Sequence, residues 1–504
     1  MTPYLTHHLL WNGQPDDKVA LIQNDTQVDY AAFRRKTAAL AGMLQSKGLK
    51  PGDRCAIYLP KELSECWSIF AASAAGGVFV PINLLLKAPQ VRHIIEDCNA
   101  RILITTQAKF ATIAEELGDL GGCDLLFLDD LDLDQEVARP ADVQLGEDLG
   151  AIMYTSGSTG RPKGVMISHR NLLAGSRIVS EYLSITSEDR LAAVLPFSFD
   201  YGLNQLISSV EQAASLVLVS FRFGEDIIKA VRKHEITGLA GVPTVWAILI
   251  GSAPSLKESP PPSLRYITNS GGAVPTKTVE QLRKLLPDTE IFLMYGLTEA
   301  FRSTFLPPDQ LSIRPNSIGK AIPECEMMVV KDNGELAQPG ETGILVHRGP
   351  TVSMGYWKRP DATAKVIRPN PLKEDHTGVD LVCYSGDLVR IDEEGYLYFV
   401  GRNDAMIKSS GYRISPSDVE EALMATGHFA QAAVIGIPDD TIGKRVHAIV
   451  TTKDGNDVDT RAVLKQLGQD LPNYMVPRQI EILEALPKTP NGKVNVKLLT
   501  AERS

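Results

Sequence analysis

Apolar positions along the first 150 residues switch between two periods. From Tyr30 to Lys47 they recur at helical spacing. Pro51-Gly52-Asp53 then turns the chain, and Arg54-Cys55-Ala56-Ile57-Tyr58-Leu59 reads as a buried strand. The helical period returns over Glu65 to Ala75, Gly76-Gly77 stops it, and Val78-Phe79-Val80-Pro81-Ile82 is again strand-like. Short apolar runs recur at Ile102-Leu103-Ile104, Leu125-Leu126-Phe127-Leu128 and Leu216-Val217-Leu218-Val219. Strands alternating with helices predict an α/β fold whose sheets are largely parallel and buried. From Gly340 the texture changes. Gly343-Ile344-Leu345-Val346-His347 and Gly395-Tyr396-Leu397-Tyr398-Phe399-Val400, with turns between them, predict a β-rich subdomain over about 325–402. Gly401-Arg402-Asn403-Asp404 reads as a polar break, followed by an α+β pattern of one small domain's length. The expected division is a large N-terminal domain, 1–402, and a small C-terminal domain, 403–504.

Composition narrows the class. A chain of 504 residues is too long for one core, and 44% hydrophobic with 22% charged residues is ordinary for a soluble globular protein. The balance of 51 basic against 61 acidic residues, with no basic cluster, argues against nucleic acid as the partner. Cys55, Cys66, Cys98, Cys123, Cys325 and Cys383 lie far apart, which favours buried reduced thiols over zinc or redox sites. The opening Met-Thr-Pro-Tyr-Leu-Thr-His-His lacks the features of a signal peptide, and no run reaches the roughly 18 apolar residues of a membrane helix. The expectation is a cytoplasmic enzyme without membrane insertion. His7 and His8 read as surface polarity.

One stretch carries most of the chemistry. Tyr154-Thr155-Ser156-Gly157-Ser158-Thr159-Gly160-Arg161-Pro162-Lys163-Gly164-Val165 sets glycines and hydroxyls around one lysine, directly after the apolar run that ends at Met153. Glycine backbone lets successive N–H groups converge on an anion, hydroxyls add donors, and Lys163 supplies a mobile charge for phosphate oxygens. The Walker A spacing is absent, so this is a phosphate loop of another kind.

The loop and its continuation, Met166-Ile167-Ser168-His169-Arg170-Asn171-Leu172, resemble the signature of the AMP-forming adenylating superfamily, which includes acyl-CoA synthetases, peptide-synthetase adenylation domains and luciferases. Gly271-Gly272-Ala273 resembles its adenine-pocket segment, and Tyr295-Gly296-Leu297-Thr298-Glu299 its second nucleotide motif. Tyr384-Ser385-Gly386-Asp387 and Gly401-Arg402-Asn403-Asp404 resemble its ribose and hinge motifs. Pro487-Lys488-Thr489-Pro490-Asn491-Gly492-Lys493 resembles its C-terminal lysine motif. The resemblance spans nearly the whole chain, with the motifs in order. It implies an ATP- and Mg²⁺-dependent ligase whose small C-terminal domain rotates between two half reactions.

In that reading Thr155, Ser156, Gly157, Ser158, Thr159, Gly160 and Lys163 hold phosphates, and Gly271, Gly272, Ala273, Tyr295 and Gly296 the adenine. Asp387 and Arg402 take the ribose, Thr298 the α-phosphate, and Glu299 the Mg²⁺, a hard carboxylate for a hard cation. Lys493 bridges the substrate carboxylate and the α-phosphate. Asp404 matches the hinge, and Gly411 lies in the segment that admits a pantetheine arm from CoA or a carrier protein supplied in trans. His169 has no evident partner and reads as a helix-start or surface residue.

Substrate choice falls to Asp200, Tyr201, Asn204, Gly241, Ser270 and Arg302. Pro196-Phe197-Ser198-Phe199-Asp200 resembles amino-acid-activating adenylation domains, whose aspartate here pairs with the substrate ammonium. An unpaired carboxylate in an apolar pocket would cost several kcal/mol, so Asp200 points to a small, polar, amine-bearing acid. The other reading makes Asp200 a helix cap before Tyr201. Arg302 receives a second substrate carboxylate or pairs with Asp200. The wording Phe-Ser-Phe-Asp-Tyr-Gly-Leu-Asn-Gln is similar to stand-alone acyl-CoA ligases associated with exosortase systems. Competing functions are a fatty acyl-CoA synthetase, a luciferase-type oxidase and, in a different class, a non-catalytic nucleotide-binding module.

Overall fold

The computed structural model describes residues 2–155, 162–372, 380–403, 406–409, 412–439, 443–453, 458–471, 473–490 and 492–503. Among them the strands form three sheets, and the architecture is mixed α/β with a large N-terminal body and a smaller C-terminal one. The first sheet has seven strands. Its centre is the parallel set Val78–Pro81, Arg54–Ile57, Ala100–Thr105 and Asp124–Phe127, each an apolar run expected from the pattern. It is extended by β1 (Leu149–Thr155) and β2 (Lys163–Ser168), an antiparallel pair whose last register is Thr155 opposite Lys163. The two strands flank the glycine-rich stretch on either side. Ser168 caps the next helix, α1 (His169–Tyr182), its hydroxyl accepting from the Asn171 N–H at 3.1 Å.

The second sheet runs through fourteen strands. Helix α2 (Asp200–Glu211) precedes three parallel neighbours, β3 (Gly238–Gly241), β4 (Tyr266–Asn269) and β5 (Glu290–Leu297). The chain then reverses into β6 (Ala300–Leu306), antiparallel to β5. The β-rich region contributes β7 (Thr342–Arg348), β8 (Leu381–Ile391) and β9 (Leu397–Arg402). It hydrogen-bonds into the same sheet, because Ser317–Ala321 pairs with β6 on one side and β9 on the other. The polar stretch at Gly401–Arg402 is not a break: both residues continue β9, opposite Leu388 and Asp387. Charge there is accommodated by an ion pair, a contact that local polarity does not reveal. A single apolar core joins residues of the first two sheets and their helices. Each fully buried aliphatic side chain in it contributes roughly 1.5–3 kcal/mol.

From Ile407 onward a five-stranded sheet and its helices have their own core, centred on Ile407, Val419, Phe429, Val446 and Ala448. Among the described residues its contacts to the larger body include Lys277 Nζ donating to Ala425 O at 3.0 Å, Asn316 to Glu421 Oε1 at 3.1 Å, Asn83 to Pro490 O at 3.4 Å, and the Ser415 hydroxyl donating to Val400 O. Among the described residues no helix is long and apolar enough to cross a membrane.

The histidines depart from expectation. His7 and His8 are buried rather than surface residues, because the turn Thr6–Trp11 packs against the helix Leu63–Ala74 and against α2. His7 Nδ1 lies 3.0 Å from Ser73 Oγ and its Nε2 3.0 Å from Asp142 Oδ1. His169 does start α1, but it is fully buried, 2.8 Å from Thr6 Oγ1 and 3.3 Å from Gln144 Oε1.

Candidate active site

Strands β3, β4 and β5 end on the same edge of their sheet, where ligands of parallel α/β sheets bind. Gly241 closes β3, Asn269 closes β4 with Ser270 just beyond, and Thr298-Glu299 form the tip of the β5–β6 hairpin. Gly241 has no room for a side chain, since a Cβ there would lie 2.5 Å from the Trp246 ring. Trp246 Nε1 donates to Asn269 Oδ1 at 2.9 Å, and Asn269 Nδ2 to Gly272 O at 2.9 Å, which fixes the Gly271-Gly272-Ala273 segment.

The nucleotide residues gather around a buried carboxylate. Asp387 on β8 forms an ion pair with Arg402 on β9 at 3.0 Å and accepts a hydrogen bond from the Tyr295 phenol of β5. Burial and the Asp387 charge push the Tyr295 phenol well above its ordinary pKa, so it stays a donor. Tyr295 also stacks on His347 of β7, at 6.0 Å between ring centres. His347 is buried, with neither ring nitrogen partnered among the described residues, and burial holds its pKa down to about 3. Gly296 abuts β6, where an added Cβ would approach Arg302 Cα to 3.4 Å.

At the hairpin tip, Tyr356 Oη donates to Glu299 Oε1 at 2.5 Å, and Lys163 Nζ lies 5.7 Å over the Tyr356 ring. One aromatic residue thus connects the lysine of the phosphate loop to the acid at the hairpin tip. Sequence reasoning missed both Tyr356 and His347. Neither belongs to a polar motif, and only cross-strand geometry reveals them. Glu299 offers hard carboxylate oxygens beside the Thr298 hydroxyl, a donor set suited to Mg²⁺. Ser156, Gly157, Ser158, Thr159 and Gly160 lie outside the described residues, as do Asp404 and Gly411.

Lys493 reaches this cleft from the C-terminal body. A tight turn carries it: Lys488 bridges Val494, Gly492 at φ +78° donates to Thr489 O at 2.9 Å, and Asn495 N donates to Pro487 O at 2.7 Å. By its surface area the residue is exposed, yet its charged end is surrounded closely enough for burial to act on it. Burial lowers the ammonium pKa, and Asp200, Asp387 and Glu299 oppose that shift. Gly271, at φ +79°, leaves the space the lysine occupies, since a Cβ there would lie 3.6 Å from Lys493 Cε.

The residues expected to meet the acyl group are polar and buried. Asp200 is the first residue of α2, with Phe199 at the cap position; its carboxylate accepts from the Tyr201 backbone N–H and lies 3.5 Å from Arg302 Nη1. Arg302 is 2% exposed and rests 4.8 Å over the Tyr201 ring. Tyr201 gives the pocket a ring face but no polar group, because its hydroxyl is spent on Thr268 O at 2.9 Å. Asn204, one turn beyond Asp200, is fully buried with no side-chain partner among the described residues. Gly202 is required here, since a Cβ would approach Pro196 O to 2.2 Å.

The family model for AMP-binding enzymes matches residues 10–357, and that for their C-terminal domain matches residues 418–493. The chain belongs to the AMP-binding enzyme family. As a member it is an AMP-forming acid ligase, consistent with the convergence of Glu299, Asp387 and Lys493 on one cleft. The ligase is 32% identical to a feruloyl-CoA synthase of Amycolatopsis over 94% of each chain. It is 30% identical to a delta-poly-L-ornithine synthetase of Acinetobacter baumannii over 96% of this chain and 35% of that one. The solved structure of ATP-bound MatB from Rhodopseudomonas palustris matches the ligase with a TM-score of 0.89 at 27% identity, over 99% and 98% of the two chains.

Proposed function

We propose that this ligase activates a small, polar, amine-bearing carboxylic acid as its acyl-adenylate and passes the acyl group to the pantetheine thiol of CoA or of a carrier protein. The observation that carries the reading is a buried Asp200 in the acyl pocket, on the same cleft as Lys493. In the first half reaction a substrate carboxylate oxygen attacks the α-phosphorus of ATP, and the bond to the β-phosphate breaks to release pyrophosphate. Both reactants are anionic, so positioning and charge neutralisation are the main needs. Lys493 meets one by lying between carboxylate and α-phosphate, and Thr298 donates to the phosphate beside it. Mg²⁺ held at Glu299 supplies further neutralisation of phosphate oxygens. Asp387 accepts from Tyr295 and pairs with Arg402, and it is the carboxylate that would receive the ribose hydroxyls. In the second half reaction the thiol sulfur attacks the acyl carbonyl and AMP departs.

A long alkyl chain would leave the buried Nε and Nη2 of Arg302 and the Asn204 amide without partners, which argues against a fatty acid. The experiment is ATP–pyrophosphate exchange across amino acids, hydroxy acids and fatty acids. Exchange fastest with an amine-bearing acid supports the reading. Exchange fastest with a medium- or long-chain fatty acid refutes it, and exchange with none of them favours the non-catalytic alternative.

A further inference from the structure

Arg302 has one more recognition surface than Asp200 can use. Its Nη1 faces Asp200 at 3.5 Å, while Nε and Nη2 have no partner among the described residues. Those two nitrogens form one edge of the guanidinium, the fork that takes a carboxylate through two parallel hydrogen bonds. At 2% exposure the fork cannot be satisfied by bulk water. Asn204 and Ser198 Oγ, on the same stretch of chain as Asp200, are likewise buried and unpartnered among the described residues.

Charge balance sharpens the point. Asp200 faces Arg302 directly, while Lys493 and Glu299 act on it from further along the cleft. A substrate ammonium arriving at Asp200 competes with Arg302 for that carboxylate and strands a buried guanidinium, which is strongly unfavourable. A second carboxylate arriving alone would meet Asp200 at close range. Only a substrate that brings both groups leaves every charge partnered.

We propose that Arg302 reads a second carboxylate through its Nε–Nη2 edge, so that the preferred substrate is a short amino dicarboxylic acid of the aspartate or glutamate type. The inference rests on the amine reading of Asp200 and adds a second requirement to it. Because Arg302 and Asp200 are adjacent, the ammonium and the distal carboxylate are separated by only a short carbon chain.

The test is ATP–pyrophosphate exchange by the wild-type enzyme with matched acids: aspartate and glutamate, their half-amides asparagine and glutamine, the amine-free succinate and glutarate, and alanine. The amino diacids should exceed the half-amides in kcat/KM by on the order of 10²-fold or more, as in sites built to hydrogen-bond the discriminating group. Arg302→Gln should bring that ratio close to unity, and Arg302→Lys should restore only part of it, because an ammonium lacks the fork. Half-amides or alanine equal to the diacids would overturn the role of Arg302 while leaving the amine reading intact. Amine-free diacids equal to the amino diacids would overturn the amine reading while leaving Arg302 as a carboxylate site. Exchange with none of these acids overturns the role of Arg302, and exchange with another amine-bearing acid alone would then leave the amine reading standing.

Discussion

Replacing Asp200 with asparagine should destabilise the protein far more than a change of one atom suggests. The pair with Arg302 is held at 3.5 Å, and at an effective dielectric of about 20 two unit charges at that distance attract by roughly 5 kcal/mol. Removing both from water offsets much of that gain, so the intact pair is worth little against a well-packed apolar replacement. Removing one partner is different, because the other remains buried and charged; that loss is about 3–5 kcal/mol. Arg302 has no spare partner among the described residues to soften it, its Nε and Nη2 being unpartnered already. The assay is a double-mutant cycle of Asp200→Asn, Arg302→Met and both together, measured by urea denaturation. Trp11, Trp67, Trp246 and Trp357 all lie within the larger body, so tryptophan fluorescence reports that body directly. Each single variant should lose several kcal/mol, and the double variant should recover most of the loss, giving a coupling of roughly 3 kcal/mol or more. Single losses below about 1 kcal/mol that simply add would refute the picture of a tightly coupled buried pair.

Lys493→Ala should lower acyl-adenylate formation on the order of 10²–10³-fold while thiol transfer from preformed adenylate stays near wild type; equal losses in both half reactions would count against its role. Tyr356→Phe removes the donor to Glu299 Oε1 and should raise the Mg²⁺ requirement for exchange by about tenfold, as loss of a ligand's supporting hydrogen bond does elsewhere; an unchanged Mg²⁺ titration would show that the phenol does not orient Glu299. Burial lifts the Glu211 carboxyl to about 7 from its ordinary 4.5, so the native state holds a proton that the unfolded chain releases between those values, and stability falls as pH rises through that window. Glu211→Gln should therefore raise the denaturation midpoint at pH 8 and leave it unchanged at pH 4, and equal shifts at both pH values would refute the assignment.

The elements legible in sequence were those whose period sets burial. Tyr30 to Lys47 was read as a helix and is one from Tyr30 to Ser46, and the apolar run at Val78 is a strand to Pro81. The motif lysine Lys493 lies within electrostatic reach of Glu299 and Asp387, although it is far along the chain from both. What stayed hidden depends on partners from other elements. Arg402 looked like a loop residue because the carboxylate facing it sits one strand away. His7 looked like a surface residue because Ser73 and Asp142, which accommodate it indoors, are distant in sequence. Tyr356 carries no motif at all; its importance lies in spanning the gap between Lys163 and Glu299.

The rung formed by Asp387 and Arg402 sits at the very end of β9, and backbone bonds continue past it, from Asn403 N to Gly386 O at 2.8 Å and from Met406 N to Arg402 O at 3.1 Å. A sugar gripped at Asp387 would therefore bear on the root of the C-terminal body as a hand bears on the short end of a lever. A change of grip at that carboxylate would be felt where the chain passes toward Lys493, while Lys277, Asn316 and Asn83 are among the residues that tie the two bodies together by single hydrogen bonds.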